Sequence, residues 1–391
     1  MSTARVGASR GYNHVPDRHQ RLLVRAAVGG DDAADAWREW CVVTENRPRS
    51  LDEGSIRLLP LVHWVLTRHD GSLPRASHLA VLHRQTWLRN HRMFRGARQA
   101  IRTLQADGHD VMLIKGAALI LRYYGDVGAR TLGDVDLVTR DSLGVRALAS
   151  LEAVGWRHFK PSRSASYVMQ QSHGVGLIDG RDGKVDLHRR VPHLKLADDR
   201  PMWERSIPVM IDDLQTLTLA TPDELLLTLG QGWRWNRLPS LRWIPDAMVL
   251  AERMTTDDWR VFLSEVQARH LVVKTTNALR YLSQEFGLDV PGVVMSELRC
   301  LPVERYEHAE ERAELRPWPL LPPWSAPYFE YARAHPLERR TRWWFGFAVA
   351  LQRRLSPPPG TAWPQHLAQR TRRRATDAIK AVRSRVGRWP S

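Results

Sequence analysis

The chain has 391 residues, 43% of them hydrophobic and 16 of them Trp, enough apolar material for a sizeable core over two or three domains, which excludes a disordered protein. Its two cysteines, Cys41 and Cys300, lie far apart and without histidines at zinc-ligand spacing, so neither a disulfide framework nor a structural zinc site is expected. The formal net charge of +16 points to an anionic partner, whether nucleic acid, nucleotide or membrane surface, although 52 of the 58 basic residues are Arg.

The N-terminal "MSTARVGASRGYNHV" has no apolar core segment or small-residue cleavage site, and the longest apolar run, Trp343 to Leu351, is too short to span a bilayer; cytoplasmic residence is the expectation. From about Asp31 to His69, apolar residues recur at three- and four-residue spacing in "AADAWREWCVV" and "IRLLPLVHWVLTRH", which predicts helices. A longer helix is predicted over Ala76–Ala106, ended by Asp107-Gly108, which tolerates a left-handed cap. The period then changes: "DVMLIK" reads as a strand, "GAALILRYYG" as a short helix, "DVDLVT" as a strand and "SLGVRALASLEAVG" as a helix. "SYVMQQ", "GVGLID" and "KVDLHRRV" follow as short runs, with Asp179 to Gly183 a hairpin connection. Helices resume at "TPDELLLTLGQGWRWNRL", with Thr221 as cap, Pro222 in the first turn and acids after it. Pro-rich connectors, "RPWPLLPPWSAP" and "SPPPGTAWP", precede a basic tail: Tyr331 to Ser391 carries 14 Lys or Arg against Glu338 and Asp377. The expected domains are a helical region over 1–106, an α/β or α+β core over 107–215, a helical domain over 216–330 and a basic helical segment over 331–391.

Residues two apart on a strand share a face, so Asp134 and Asp136 project together while Val135 and Leu137 point the other way. Two carboxylates side by side repel, and a divalent cation between them relieves the repulsion. Asp186, in "KVDLHRR", repeats the apolar-acid-apolar texture on a later strand. Three such carboxylates suit two magnesium ions, or manganese, that clamp a phosphate and lower the pKa of an attacking hydroxyl, the chemistry of phosphoryl or nucleotidyl transfer. Lys115-Gly116, where a strand runs into a helix, offers backbone N–H groups and a helix dipole to a phosphate chain, with Lys115 or Arg130 adding charge. Each piece has a plain alternative: a solvated Asp-x-Asp, a surface lysine at a turn, exposed strand residues at Asp186 and His188. Their order along the chain is what points to a site.

That order resembles the nucleotidyltransferase superfamily of polymerase beta-like fold. More closely it is similar to an uncharacterised nucleotidyltransferase-like family, through Lys115-Gly116, Tyr123-Tyr124, Arg130, Gly133-Asp134-Val135-Asp136-Leu137-Val138, Val185-Asp186-Leu187-His188, Pro222-Asp223-Glu224-Leu225 and Leu241-Arg242-Trp243. The resemblance covers residues 80 to 285. It implies an α+β fold, a mixed β-sheet core flanked by N- and C-terminal helical regions, and a metal site at Asp134, Asp136 and Asp186. The expected nucleotide contacts are Lys115, Gly116, Ala117, Arg130 and His188, and His188 suits either a phosphate contact or the orienting of a carboxylate, the latter preferred. Ala117 departs from the superfamily's usual serine, leaving only backbone donors there.

The function expected on this basis is magnesium-dependent transfer of an NMP from a nucleoside triphosphate to an unidentified acceptor, a small molecule, peptide, protein or RNA. Asp134, Asp136 and Asp186 are its expected catalytic residues, with Asp186 helping to deprotonate the acceptor. The alternative is a non-catalytic protein of the same fold that binds RNA or a partner enzyme, and a third reading is a toxin-like enzyme acting on transfer RNA. Trp233, Trp235 and Trp243 with Arg234, Arg237 and Arg242 suit either a nucleobase grip or core packing, the latter preferred. Arg339 to Leu355 suits a membrane surface or a buried helix, and Gln369 to Arg388 suits RNA or a solvated helix.

Overall fold

The computed structural model describes residues 15–44, 51–68, 73–140, 144–159, 165–171, 174–194, 198–234 and 240–316. The Pro-rich connectors beyond Arg316, the Arg339 to Leu355 segment, the Arg-rich tail, Trp235 and Arg237 lie outside them. The chain divides into two compact units, one of 16–233 with 240–307, the other of 1–15, 234–239 and 308–391. All that follows concerns the first.

Helices α1 (Arg18–Val28), α2 (Ala33–Thr44), α3 (Glu53–Ile56) and α4 (Leu59–Leu66) precede the long α5 (Ala76–Ala106). Asp17 starts α1 with a reciprocal cap, accepting from the Gln20 amide while the Gln20 side chain accepts from the Asp17 amide. α5 has the bounds its periodicity predicts, and Met93, Phe94, Ala97, Ala100, Ile101 and Leu104 form its buried stripe.

After α5 the apolar runs are too short for helices, and they make a sheet. Strands β1 (Val111–Ile114), β2 (Val135–Thr139), β3 (Arg157–His158), β4 (Gly174–Ile178), β5 (Lys184–His188), β6 (Ile207–Ile211) and β7 (Leu214–Thr218) form one mixed sheet ordered β3-β4-β5-β2-β1-β7-β6. β2 runs antiparallel to β1 and parallel to β5, and β1 runs parallel to β7. Between β1 and β2 the chain forms α6 (Lys115–Leu119) and a π-helical turn, Ile120–Tyr124. α7 (Val145–Ala153) and α8 (Ala165–Gln171) lie between β2 and β4, so "SYVMQQ" is helical. The Asp179 carboxylate accepts from the Arg181 and Gly183 amides, closing the β4–β5 hairpin where the sequence places it.

One sheet face is apolar: Val111, Leu113, Val135, Leu137, Val185 and Leu187 pack with the α5 stripe and with Leu148 and Leu151 of α7. The period of two then assigns Asp136, Asp186 and His188 to the opposite face.

The remaining helices are α9 (Arg200–Glu204), α10 (Thr221–Gly232), α11 (Trp243–Ala251), α12 (Thr256–Ala268), α13 (Val272–Phe286), α14 (Gly292–Cys300) and α15 (Arg305–Glu314). Thr221 does not cap α10: Ala220 holds that position, and the Thr221 hydroxyl instead accepts from Tyr123 at 3.0 Å. Trp233 and Trp243 are buried and pack edge to face, 6.2 Å between ring centres, so both serve the core. No described helix is long and apolar enough to cross a membrane. The architecture is α+β, a mixed seven-stranded sheet with flanking helices.

Candidate active site

The parallel β2–β5 register sets Asp136 directly beside Asp186 and Val138 beside His188. Asp136, Asp186 and His188 bring one ligand atom each within 4.8 Å of the others. The neighbouring strand makes room for them. Gly176 of β4 lies opposite Asp186 and Gly174 opposite His188, and a Cβ at either would come within 2.8 Å of the Asp186 Oδ1 or 2.4 Å of the His188 Nδ1. Glycine weakens a strand, and here it does so where side chains of the next strand lean across it.

Asp136 is buried, and its Oδ1 accepts from Lys115 Nζ at 2.6 Å and lies 2.9 Å from His188 Nε2. Burial pushes this carboxyl up, but the Lys115 ammonium and the His188 hydrogen bond outweigh it and hold it well below the usual carboxylate range. Asp186 moves the other way, raised by burial and by the charges of Asp134 and Asp136. Neighbouring acids thus differ in basicity, the arrangement that separates a ligand from a proton acceptor.

Asp134, one residue before β2, stands outside the compact cluster. Its Oδ2 is 3.4 Å from Lys184 Nζ, which also donates to the Gly133 carbonyl at 3.1 Å.

Lys115, Gly116 and Ala117, expected to face phosphate, form the passage from β1 into α6. Lys115 takes a left-handed conformation, φ 57°, which turns its side chain back onto Asp136. Gly116 and Ala117 are buried, and Ala117 belongs to the apolar core. A Cβ on Gly116 would fall 2.0 Å from Arg130 Nη1, so glycine is needed for the guanidinium to cross the start of α6. Arg130 is itself engaged: Nε donates to Asp246 Oδ1 at 2.9 Å and Nη2 to Asp246 Oδ2 at 2.7 Å, while Tyr124 donates to Oδ1 at 2.8 Å. Arg130, Gly116 and Ala117, expected as nucleotide contacts, are placed here in a buried ion pair, under it and in the core. The physical reason is that Arg130 finds a buried carboxylate 116 residues later, a partner no local spacing announces.

Asn90, His83 and Asp126, which no sequence motif singled out, hold the loop that delivers Asp134 together with Arg242. Asn90 of α5, fully buried, donates to the Val127 and Arg130 carbonyls, both at 2.7 Å, and accepts from the Leu132 amide at 3.2 Å. His83 is 3.1 Å from Asp126, whose carboxylate also accepts from the Gly128 amide. Arg242 donates to the Thr131 carbonyl and hydroxyl. Glu224, the second acid of α10, is fully buried and neither of its oxygens makes a well-formed hydrogen bond. Burial drives its pKa up to about 8 against the pull of the Lys115 backbone and charge and of Arg130. It is neutral at physiological pH. Its neighbour Asp223 pairs instead with Arg205 at 2.8 Å.

Two carboxylates and an imidazole converging on one face can hold a divalent cation. Oxygen donors suit magnesium or manganese, and the His188 nitrogen shifts the set toward manganese.

Over residues 55–287 the chain matches the family described as uncharacterised nucleotidyltransferase, and it belongs to that family. No curated protein matches the chain.

Proposed function

We propose that this family member transfers a nucleoside monophosphate from a nucleoside triphosphate to an acceptor hydroxyl, with release of pyrophosphate. The observation that carries the reading is the in-register pairing of Asp136 with Asp186, backed by His188 on the same face. A buried and a half-buried acid held side by side on a sheet come at a cost unless a cation joins them.

Asp136, held ionised, supplies the fixed negative charge of the site, and His188 Nε2 orients it. Asp186, with its raised pKa, takes the proton from the acceptor hydroxyl. The acceptor O–H bond breaks as the new O–Pα bond forms, and the bond from Pα to the bridging oxygen breaks with its electron pair leaving on pyrophosphate. Asp134, anchored through Lys184, flanks the site on the β2 side. A divalent cation bound by Asp136 and Asp186, magnesium in this proposal, would neutralise phosphoryl oxygens and lower the pKa of the attacking hydroxyl. Positioning and charge complementarity supply the rate.

The test is label transfer from α-labelled nucleoside triphosphates to fractionated cell extract, together with manganese binding by the purified protein. Asp136→Asn is expected to lower transfer by more than about 100-fold and to abolish manganese binding while the circular dichroism spectrum is unchanged. Transfer at the parental rate would remove Asp136 from the reaction. The buried, closed turn at Gly116-Ala117 favours a second reading, a non-catalytic fold that binds RNA. Salt-sensitive RNA binding indifferent to Asp136→Asn, with no labelled product, would select it.

A further inference from the structure

Arg130 and Arg242 lie within electrostatic reach of one another and both feel the Asp246 carboxylate, while Arg242 also feels Asp134. Asp246 spends its oxygens on Arg130 and Tyr124, and Arg242 makes no ion pair with any described carboxylate. Its hydrogen bonds go to the Thr131 carbonyl and hydroxyl through Nη1 alone, which leaves Nε and Nη2 undirected among the described residues. Arg57 adds a third guanidinium nearby, paired only with the exposed Glu53 beside it in sequence. Burial and the Arg130 charge push Arg242 down to about 9, while Asp246 and Asp134 pull it back up.

A half-buried guanidinium beside two others, with Asp246 already taken by Arg130 and Tyr124, holds donors in excess of the acceptors around it, which an anion would fill. That excess lies beside Asp134, at the edge of the acid cluster. The acids call for a cation and the arginines for an anion, and a polyphosphate chain complexed to a divalent cation satisfies both. The guanidinium fork suits phosphate oxygens, and Thr131 fixes its orientation in advance.

We infer that Arg242, assisted by Arg57, is the residue that binds the polyphosphate of the nucleotide, at the Thr131 to Asp134 edge of the site and not at the closed Gly116-Ala117 turn. This rests on the nucleotidyltransfer reading for the identity of the ligand, but not for the presence of an anion site.

Calorimetry with inorganic tripolyphosphate, without divalent cation, tests it on the full chain. Arg242→Gln is expected to weaken binding at least tenfold, Arg242→Lys to recover part of it, and manganese affinity to be the same in both as in the parent. Arg57→Gln, which removes only a partly exposed side chain, is expected to weaken tripolyphosphate binding about threefold and keeps the test available if Arg242→Gln does not fold. Unchanged tripolyphosphate affinity in either Gln variant that folds, or an equal loss of manganese binding in Arg242→Gln, would overturn the assignment. The two readings fail separately. Tripolyphosphate held through Arg242 in a protein that transfers no nucleotide leaves this site standing, whereas transfer by Arg242→Gln with the parental KM removes the site and leaves the transferase.

Discussion

Arg269 and Asp136 are both buried charges, but their surroundings are built on opposite terms. Arg269, fully buried, donates to Glu265 Oε2 at 2.8 Å, Asp199 Oδ1 at 3.2 Å and the Asp198 carbonyl at 3.1 Å. Glu265 in turn accepts from Arg205 at 2.6 Å, and Arg205 from the same nitrogen reaches Asp223. Both arginines of this helical network are engaged on two carboxylates each, so its cations need nothing from outside. The sheet-end cluster is built otherwise: three acids, two lysines that reach one acid each, and two nearby arginines of which only Arg130 is paired with a carboxylate. The first network ties both of its arginines to carboxylates, whereas beside the second Arg242 has no such partner among the described residues.

The contrast can be broken by experiment. Arg269→Ala is expected to cost about 3–5 kcal/mol in denaturant unfolding, because it strands Glu265 and Asp199 in the interior, and to leave manganese affinity of the folded protein unchanged. A loss of manganese binding would mean the two networks are one. Glu224 gives the next largest effect. Its folded pKa lies above the ordinary 4.5, so the native state keeps a proton that the unfolded chain gives up as pH rises. Stability from this group is therefore full below about pH 4.5 and declines toward pH 8, by about 2–3 kcal/mol between pH 5 and 7. Glu224→Gln should flatten that slope in urea melts; an unaltered slope would show that Glu224 ionises like a surface acid. The smallest effect belongs to Lys184→Ala. Its pair with Asp134 is partly exposed, and the change should stay within about 1 kcal/mol and shrink in salt, read by thermal melting.

Much of the sheet-end cluster was legible because strand periodicity is a local property. The alternation in "VDLV" and "VDLH" alone assigns Asp136, Asp186 and His188 to faces, and "DVMLIK" and "DVDLVT" are strands as read. The register that puts Asp136 against Asp186 was not legible, since 50 residues and four described elements separate two parallel strands. The partners of Arg130 and Arg242 escaped for the same reason. The side chain that fills the space over Gly116 comes from the loop before β2, which the lysine-glycine pair itself does not announce. Gly174 and Gly176 did leave a signal, two glycines alternating in a strand, which marks close approach without naming what approaches.

Asn90 reaches from α5 into the loop ahead of β2 with three hydrogen bonds, and His83 of the same helix holds Asp126. A fragment beginning at residue 107 would keep every strand of the sheet and every acid of the cluster, yet lose the clamp that fixes where Asp134 emerges. The minimal working portion of this chain is therefore set by a helix that contributes no chemistry, and any attempt to trim, swap or circularly permute the sheet must carry α5 with it.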